Sequence, residues 1–375
     1  MKETQNSGFH CAGLIYGPDL HHLDHLAPIC SLMNIPLIIT EEKIATLTQL
    51  YYPKVEVLLL DYMSAPQYLV THFDIIFYSM PRDLFDEIFF LTQKLAQKRV
   101  HTIWCPHGNS DKGNQILYME ALKKEEAALI YGKQMIDFLK RKFVFEPLKK
   151  HIIIGNFRYQ FYLNHRSFYT SIVEKEIVRK LPKAKKTVLY APTWQDYEHS
   201  SSFFDATVPL IEKLPEEDNL IIKLHPNLLL QEEFHIDELI EKYQDRQNLL
   251  FLIHFPPIYP LLNLVDVYIG DMSSIGYDFL TFNRPMFFLN QNDRDTKNDL
   301  GLYLYRCGIE IKQDQYSNIH KIIDHYFHYE LRDFSEMRRE VYAYAFGHPK
   351  SLEEIKKEIF TLYEEAFKDD DLHFF

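Results

Sequence analysis

The chain has 375 residues, 46% of them hydrophobic and 15% aromatic, and a formal net charge of −12. That length suits two ordinary domains rather than one core, and the apolar content excludes an intrinsically disordered protein. The negative charge argues against a protein that binds nucleic acid by bulk phosphate neutralisation, so no nucleic-acid partner is expected.

From the amino terminus, short apolar runs alternate with helix-like segments. Strands are expected within Gly8 to Tyr16 and at Pro36 to Ile39, Val55 to Leu60, Phe73 to Tyr78, His101 to Trp104, Ala127 to Tyr131 and His151 to Ile154. Helices are expected between them at His22 to Met33, Glu41 to Leu50, Leu84 to Gln97, Asn114 to Glu125 and Lys133 to Lys142. Such alternation predicts a parallel sheet covered by helices on both faces. The pattern breaks into aromatic and basic residues from Asn156 to Lys186, with a helix expected from Ser171 to Leu181.

Alternation then resumes. Strands are expected at Thr187 to Ala191, Leu220 to Leu224, Leu249 to Ile253, Val267 to Gly270 and Met286 to Leu289. Helices are expected at Phe203 to Lys213, Glu232 to Tyr243 and Ile275 to Phe282, then at Tyr316 to Tyr329, Ser335 to Tyr344 and Leu352 to Phe367. The expected organisation is a first α/β domain over 1–156, a connection over 157–186 and a second α/β domain over 187–350. A terminal helix and acidic tail over 351–375 would pack back on the first. Ligands of doubly wound sheets bind beyond the carboxyl ends of the strands, so the motifs of interest should lie there.

Cys11, Cys30, Cys105 and Cys307 are dispersed, with no CxxC pair, as reduced cytoplasmic thiols would be. The opening MKETQNSGFHCAGLIYG has no long apolar core of the kind a signal peptide needs, and no apolar run reaches membrane-spanning length. The expected location is the cytoplasm, with room for peripheral contact at the inner face of the cell membrane.

Four strand ends carry residues suited to chemistry. His107 and Gly108 follow the strand ending at Trp104; an imidazole takes a proton from a hydroxyl near neutrality, and glycine lets a ligand approach closely. Lys112, beside Gly113, adds a cation suited to phosphate. A loop histidine bonded to a backbone carbonyl is the plainer reading. Thr193 and Trp194, in YAPTW, are placed to touch a sugar or base. His225 and Pro226 end another strand; Pro226 restricts His225 to extended backbone, and Lys223 points the same way two residues earlier. Asp271-Met272-Ser273-Ser274 joins a strand to a helix, where hydroxyls, unpaired N–H groups and the helix dipole favour an anion. A simple N-cap is the alternative there.

In this order the motifs resemble those of the CDP-glycerol glycerophosphotransferase family, which includes the teichoic acid primases and polymerases. The family pattern runs HGxxxK, GxPRxD, YAPTWRD, KLHP and DYSSxxFD with a later Pro. Here it reads His107-Gly108 with Lys112, Gly155 to Arg158, Tyr190 to Asp196, Lys223 to Pro226, and Asp271 to Asp278 with Pro285. The resemblance covers about Trp104 to Leu289. It implies two doubly wound, Rossmann-like domains facing across a cleft, a GT-B-like α/β fold with an amino-terminal acceptor domain and a carboxyl-terminal nucleotide-donor domain.

The resemblance further implies transfer of glycerol phosphate, or a similar polyol phosphate, from a CDP-linked donor to an acceptor hydroxyl, releasing CMP. The acceptor hydroxyl would sit on a polyol phosphate, glycan or lipid-linked molecule; no cofactor and no metal are implied. Carried over, His107 is the base on the acceptor side and His225 meets the donor phosphates, both counted as catalytic, while Ser273 and Ser274 hold the pyrophosphate. Gly108, Lys112, Arg158, Thr193, Trp194, Lys223, Pro226, Asp271 and Asp278 complete the implied substrate contacts. The rival readings are a GT-B glycosyltransferase with another nucleotide-sugar donor and an inactive nucleotide-binding relative.

The chain departs from the pattern at Asn109-Ser110-Asp111, at Phe157 for Pro, Gln160 for Asp, Gln195 for Arg and Met272 for Tyr. Asp293-Arg294-Asp295 imitates a metal-binding DxD and is read as a polar loop. His21, His22 and His25 contain an i, i+4 pair and are read as a solvated helix face. Phe138 to Lys150, basic and aromatic, is read as an exposed helix end.

Overall fold

The computed structural model describes residues 9–112, 118–195, 199–229 and 236–367. The expectations placed on Gly8, Gly113 to Leu117, Asp196, Glu232 to His235 and the tail Lys368 to Phe375 lie outside them. The chain divides into two compact units: Met1–Asn109 with Ile116–Phe161 and Ala345–Phe375, and Ser110–Gln115 with Tyr162–Tyr344.

The first unit is built in chain order from β1 (Cys11–Ile15), α1 (Leu23–Met33), β2 (Leu37–Ile39), α2 (Glu42–Tyr51), β3 (Val57–Leu59), α3 (Ala65–His72) and β4 (Ile75–Tyr78). Then follow α4 (Arg82–Ala96), β5 (His101–Trp104), β6 (Ala127–Ile130), α5 (Lys133–Arg141), β7 (Lys150–Ile153) and α6 (Phe157–Asn164). Its strands form one parallel sheet in the order β3-β2-β1-β4-β5-β6-β7. The central strands are apolar without alternation because helices cover both faces; Leu14, Ile76, Phe77, Ile103 and Leu129 are fully buried.

The second unit contains α7 (Arg166–Glu176), β8 (Lys186–Ala191), α8 (Phe203–Glu212), β9 (Asp218–Lys223), α9 (Pro226–Leu229), α10 (Ile236–Tyr243), β10 (Leu249–Leu252) and α11 (Ile258–Leu264). It continues with β11 (Val267–Gly270), α12 (Ile275–Phe279), β12 (Met286–Asn290), β13 (Ile309–Lys312) and α13 (Ile319–Phe346). The last helix, α14 (Leu352–Ala366), belongs to the first unit. The second sheet is also parallel, in the order β10-β9-β8-β11-β12-β13. Val188, Leu220, Ile222, Ile269 and Phe287 lie in its core.

Both sheets reverse direction once, between β1 and β4 in the first unit and between β8 and β11 in the second. At such a switch point the two loops at the strands' carboxyl ends lead away to opposite faces and leave a crevice. The loops of interest therefore occupy positions fixed by topology.

Several elements differ from expectation. Helix α3 was not anticipated, since its opening Ala65-Pro66 reads as a turn; proline here occupies the first turn of the helix, where no N–H is required. Tyr118–Lys124 forms a 3-10 helix rather than an α-helix. The connection is already helical at Phe157, and its second helix runs from Arg166 to Glu176 rather than from Ser171. Helix α11, which carries Pro260, and the polar strand β13 were also not anticipated. The two late helices are one, Ile319–Phe346. Arg338, fully buried within it, donates to Glu330 at 2.5 Å and to Asn283 at 2.8 Å, holding the stretch between them helical.

The first unit carries a buried carboxylate whose charge depends on folding. Burial pushes the Glu126 pKa upward, but His101 at 3.0 Å, Lys149 at 3.0 Å and Arg99 at 2.7 Å outweigh it and hold the group at about 2. A depressed carboxylate stabilises the fold above its unfolded pKa of 4.5 and loses that contribution as pH falls through the folded value. Glu126→Gln is therefore expected to lower unfolding free energy at pH 7 by roughly 3 kcal/mol. In urea titrations, the gap to the native protein should close between pH 4.5 and about 2.

Candidate functional site

In the first unit, the loops following β1 and β5 bracket β4 at the carboxyl edge of the sheet. The β1 loop brings Asp19, His21 and His22; the β5 loop brings His107. Gly108 has φ +119, a conformation that favours glycine, and so turns the loop immediately after His107. The imidazoles form one cluster, with ring centroids 4.3 Å apart for His21 and His22, 5.0 Å for His21 and His107, and 4.9 Å for His22 and His107. His25 lies further out, 6.4 Å from His107, with its Nδ1 2.5 Å from the Tyr131 hydroxyl.

This corrects the reading of His21, His22 and His25 as a solvated helix face. His22 and His25 are buried, and His21 is half-buried. His21 and His22 lie between β1 and α1, and only the sheet order places that loop one strand away from the loop after β5.

Burial keeps these rings neutral. It pushes His21 down to about 4 and holds His22 and His25 well below the ordinary imidazole value. Desolvation, then the charge of His21, pushes His107 down to about 4 as well. Solvent reaches His107, which tempers the burial penalty, but His21 acts in the same direction and the ring is neutral at pH 7. Asp19 pulls the other way, raising the basicity of His107. Asp19 is thus a functional candidate that sequence reasoning missed.

Arg158 is buried in this unit. It donates to Asp24 Oδ2 at 2.8 Å, Asp24 Oδ1 accepts from the Tyr52 hydroxyl at 2.6 Å, and the guanidinium lies 5.8 Å from the Tyr131 ring centre. Its geometry is that of a structural cation beneath the histidines. Phe157, in place of the family's Pro, opens α6, while Asn156 Oδ1 accepts from the Tyr159 N–H at 3.2 Å.

In the second unit, Asp271 organises the switch point. It follows β11 directly and is almost fully buried. Its Oδ1 accepts from Thr193 N–H at 2.8 Å; its Oδ2 accepts from Ser202 N–H at 2.9 Å and the Ser202 hydroxyl at 2.8 Å. One carboxylate thereby fixes the loop after β8 and the start of α8. Burial raises the Asp271 pKa, and these hydrogen bonds act against that rise.

Held by Thr193, the half-buried Trp194 becomes a platform. Lys112 Nζ lies 5.2 Å from its ring centre and donates to its carbonyl at 3.3 Å; the His225 ring is 6.4 Å away. His225 Nδ1 accepts from Asn227 N–H at 3.2 Å, so the neutral ring carries its proton on Nε2. Pro226 opens α9, and Lys223, half-buried, is the last residue of β9.

Ser274 stands at the N-cap of α12, but its hydroxyl makes no capping hydrogen bond, and Ser273 is buried. Helix α12 has only 5 residues, so its dipole is smaller than the sequence suggested. Asp278 is buried and accepts from the Tyr259 hydroxyl at 2.9 Å, a structural position.

The departures from the pattern have local partners. Asn109 donates to the Ala345 carbonyl at 3.2 Å within the first unit. Asp111 accepts from the Tyr277 hydroxyl at 2.6 Å and from Leu304 N–H at 3.0 Å within the second. Gln195 lies 3.1 Å from His199 Nδ1. Met272 places its sulfur 2.9 Å from Arg294, whose other nitrogens bind Asp299 at 2.7 and 2.8 Å.

Residues 121–306 match the family described as CDP-Glycerol:Poly(glycerophosphate) glycerophosphotransferase. The matched stretch contains Arg158, Trp194, His225 and Asp271 and begins after His107. The teichoic acid glycerol-phosphate primase of Bacillus subtilis is 32% identical over 126 residues, 33% of this chain and 29% of the primase. The teichoic acid ribitol-phosphate polymerase TarL of Staphylococcus aureus is 26% identical over 127 residues, 32% of this chain and 21% of the polymerase. The alignments thus span less than a third of these curated relatives. Among solved structures, the wall teichoic acid polymerase TagF superposes with a TM-score of 0.68 at 16% identity, over 96% of this chain and 89% of that one. Anabaena HepE in complex with UDP-glucose gives 0.57 at 12% identity, over 95% and 99%. These likenesses establish the fold as two Rossmann-like domains of the GT-B-like class.

Asp271→Asn should test the latch. The amide must present its NH₂ to one of two backbone N–H donors, leaving a buried donor unpaired. The expected cost is about 1–3 kcal/mol in urea unfolding, against about 0.5–1.5 kcal/mol for Ser202→Ala.

Proposed function

We propose that this chain, whose residues 121–306 match the CDP-glycerol:poly(glycerophosphate) glycerophosphotransferase family, moves glycerol phosphate, or a similar polyol phosphate, from a CDP-linked donor to an acceptor hydroxyl and releases CMP. The acceptor oxygen attacks the phosphorus that carries the polyol. The bond from that phosphorus to the bridging oxygen breaks, CMP leaves with the bridging oxygen, and the acceptor proton passes to His107. Catalysis of this kind rests on positioning and on compensation of phosphate charge.

The observation that carries the reading is the convergence of Lys112, Trp194 and His225 at the β8–β11 switch point, fixed by Asp271. Lys112, Lys223 and His225 supply positive charge or N–H groups to the pyrophosphate, with the Ser273 and Ser274 hydroxyls beside them. Trp194 and Thr193 border the nucleoside. Neutral His107 keeps a lone pair for the acceptor proton, and Asp19 strengthens it as a base. Asp271 acts by holding Thr193 and Ser202, and Arg158 and Asp278, turned to Asp24 and Tyr259, act as scaffold rather than by touching substrate.

His107→Ala is expected to lower turnover by about 10²–10⁴ while leaving calorimetric CDP-glycerol affinity nearly unchanged. His225→Ala should weaken that affinity. Parallel loss of affinity and rate in His107→Ala would remove His107 from the acceptor side. A glycosyltransferase reading draws on the likeness to HepE with UDP-glucose; tighter binding of UDP-glucose than of CDP-glycerol or CDP-ribitol would favour it.

We place the reaction at the inner face of the cell membrane. No helix among the described residues is long and apolar enough to cross a membrane. Helix α4 buries Phe85 and Phe89 yet also exposes Phe90, Leu91 and Leu95 at 62%, 63% and 77%, with Lys94 Nζ 5.7 Å from the Phe90 ring centre. An apolar outer stripe edged by a cation suits an anionic bilayer surface. Leu91→Glu with Leu95→Glu should abolish co-sedimentation with phosphatidylglycerol vesicles; unchanged sedimentation would overturn the assignment to α4.

A further inference from the structure

We propose that His21, His22 and His107 form a binding site for one divalent metal ion of the zinc class, and that occupancy switches the protein off by taking the lone pair of His107. One ring nitrogen of each residue lies within 4.8 Å of those of the other two. Zinc–imidazole bonds of about 2.0–2.1 Å in tetrahedral geometry place donor nitrogens roughly 3.3 Å apart. Modest ring rotations bring the three to that spacing.

The donor set selects the metal. Three imidazoles suit zinc, copper, nickel or cobalt, whereas magnesium and calcium require oxygen ligands. His21 Nδ1 lies 3.9 Å from Asp19 Oδ1, so a carboxylate borders the cluster and its negative charge favours a bound cation. His25 stands further off, its ring centre 6.4 Å from that of His107 and its Nδ1 2.5 Å from the Tyr131 hydroxyl, and it walls the cluster. The charge of Arg158 reaches both His25 and His107, and Asp24 at 2.8 Å offsets it. Three protein ligands leave a fourth position open to water, as in accessible zinc sites.

The metal site stands on this geometry alone, whereas the switching role rests on the reading of His107 as the base. Two measurements separate them. Protein stripped with chelator and dialysed is titrated with ZnCl₂ by calorimetry without substrate; one zinc per chain is expected, with no heat from MgCl₂. Cobalt(II) in its place should give the visible absorption of a tetrahedral ion. His21→Gln and His107→Gln should each weaken zinc at least about tenfold, as ligand loss does when outer partners alone contribute 10–100-fold. His21 keeps 21% side-chain exposure, so His21→Gln guards against misfolding at the buried His22. No zinc binding, or equal binding in both variants, leaves only an aromatic cluster and overturns the site. Stoichiometric zinc binding without loss of transfer overturns the switch and leaves the site standing. If His107→Ala keeps full turnover, the reading of the base fails, independently of whether zinc binds.

Discussion

The second unit depends on a carboxylate that is taken out of water and made to hold two loops at once. Removing a charge from solvent is costly unless its lone pairs are filled, and Asp271 fills them with two backbone N–H groups and a hydroxyl. The return is geometric. With Thr193 fixed, Trp194 cannot drift, and Lys112 and His225 gain a rigid plane to lie against. A site for a flexible diphosphate gains more from such fixing than from additional contacts, because ordering carried out during folding need not be repeated at binding.

The first unit solves a different problem by the same topology. Parallel strands place successive loops on one edge, and the order β2-β1-β4-β5 separates the β1 and β5 loops by a single strand. Histidines far apart in sequence thereby become neighbours. Packing them there has a chemical consequence: desolvation first, and for His22 and His25 the neighbouring rings in addition, disfavours protonation, so the cluster stays uncharged beside a buried guanidinium. An isolated surface histidine would titrate near neutrality; these do not.

Most of the fold was legible in the sequence, since parallel sheets announce themselves through apolar runs spaced by helices. What escaped detection had local reasons. Ala65-Pro66 hid a helix start, β13 (IEIK) is too polar and short to stand out, and the pair Arg338–Glu330 joins what sequence reads as two helices. Among the candidate residues, Trp194, Lys112 and His225 were found from their strand-end positions and do come together. Asp271, from a strand end, and Arg158 and Asp278, from the family resemblance, were also named, yet their side chains turn inward to Ser202, Asp24 and Tyr259. A motif records which residues a site needs without saying whether they face the ligand or the scaffold. The partnership of His21 and His22 with His107 required knowing which loops the sheet order makes adjacent.

Helix α14 gives the unit bearing the histidines an unusual dependence. Its Ile355, Ile359, Leu362 and Tyr363 are buried in the first unit, and Phe367 stacks on His101 at 4.3 Å. During synthesis, every strand of that unit emerges from the ribosome before this helix does, whereas the second unit has all its residues earlier. The nascent first unit must therefore wait with part of its apolar face uncovered while the second is completed. The imidazole cluster thus sits on the unit whose packing is completed by its most distant segment in sequence, so its exposure during synthesis follows from the chain's order rather than from its stability.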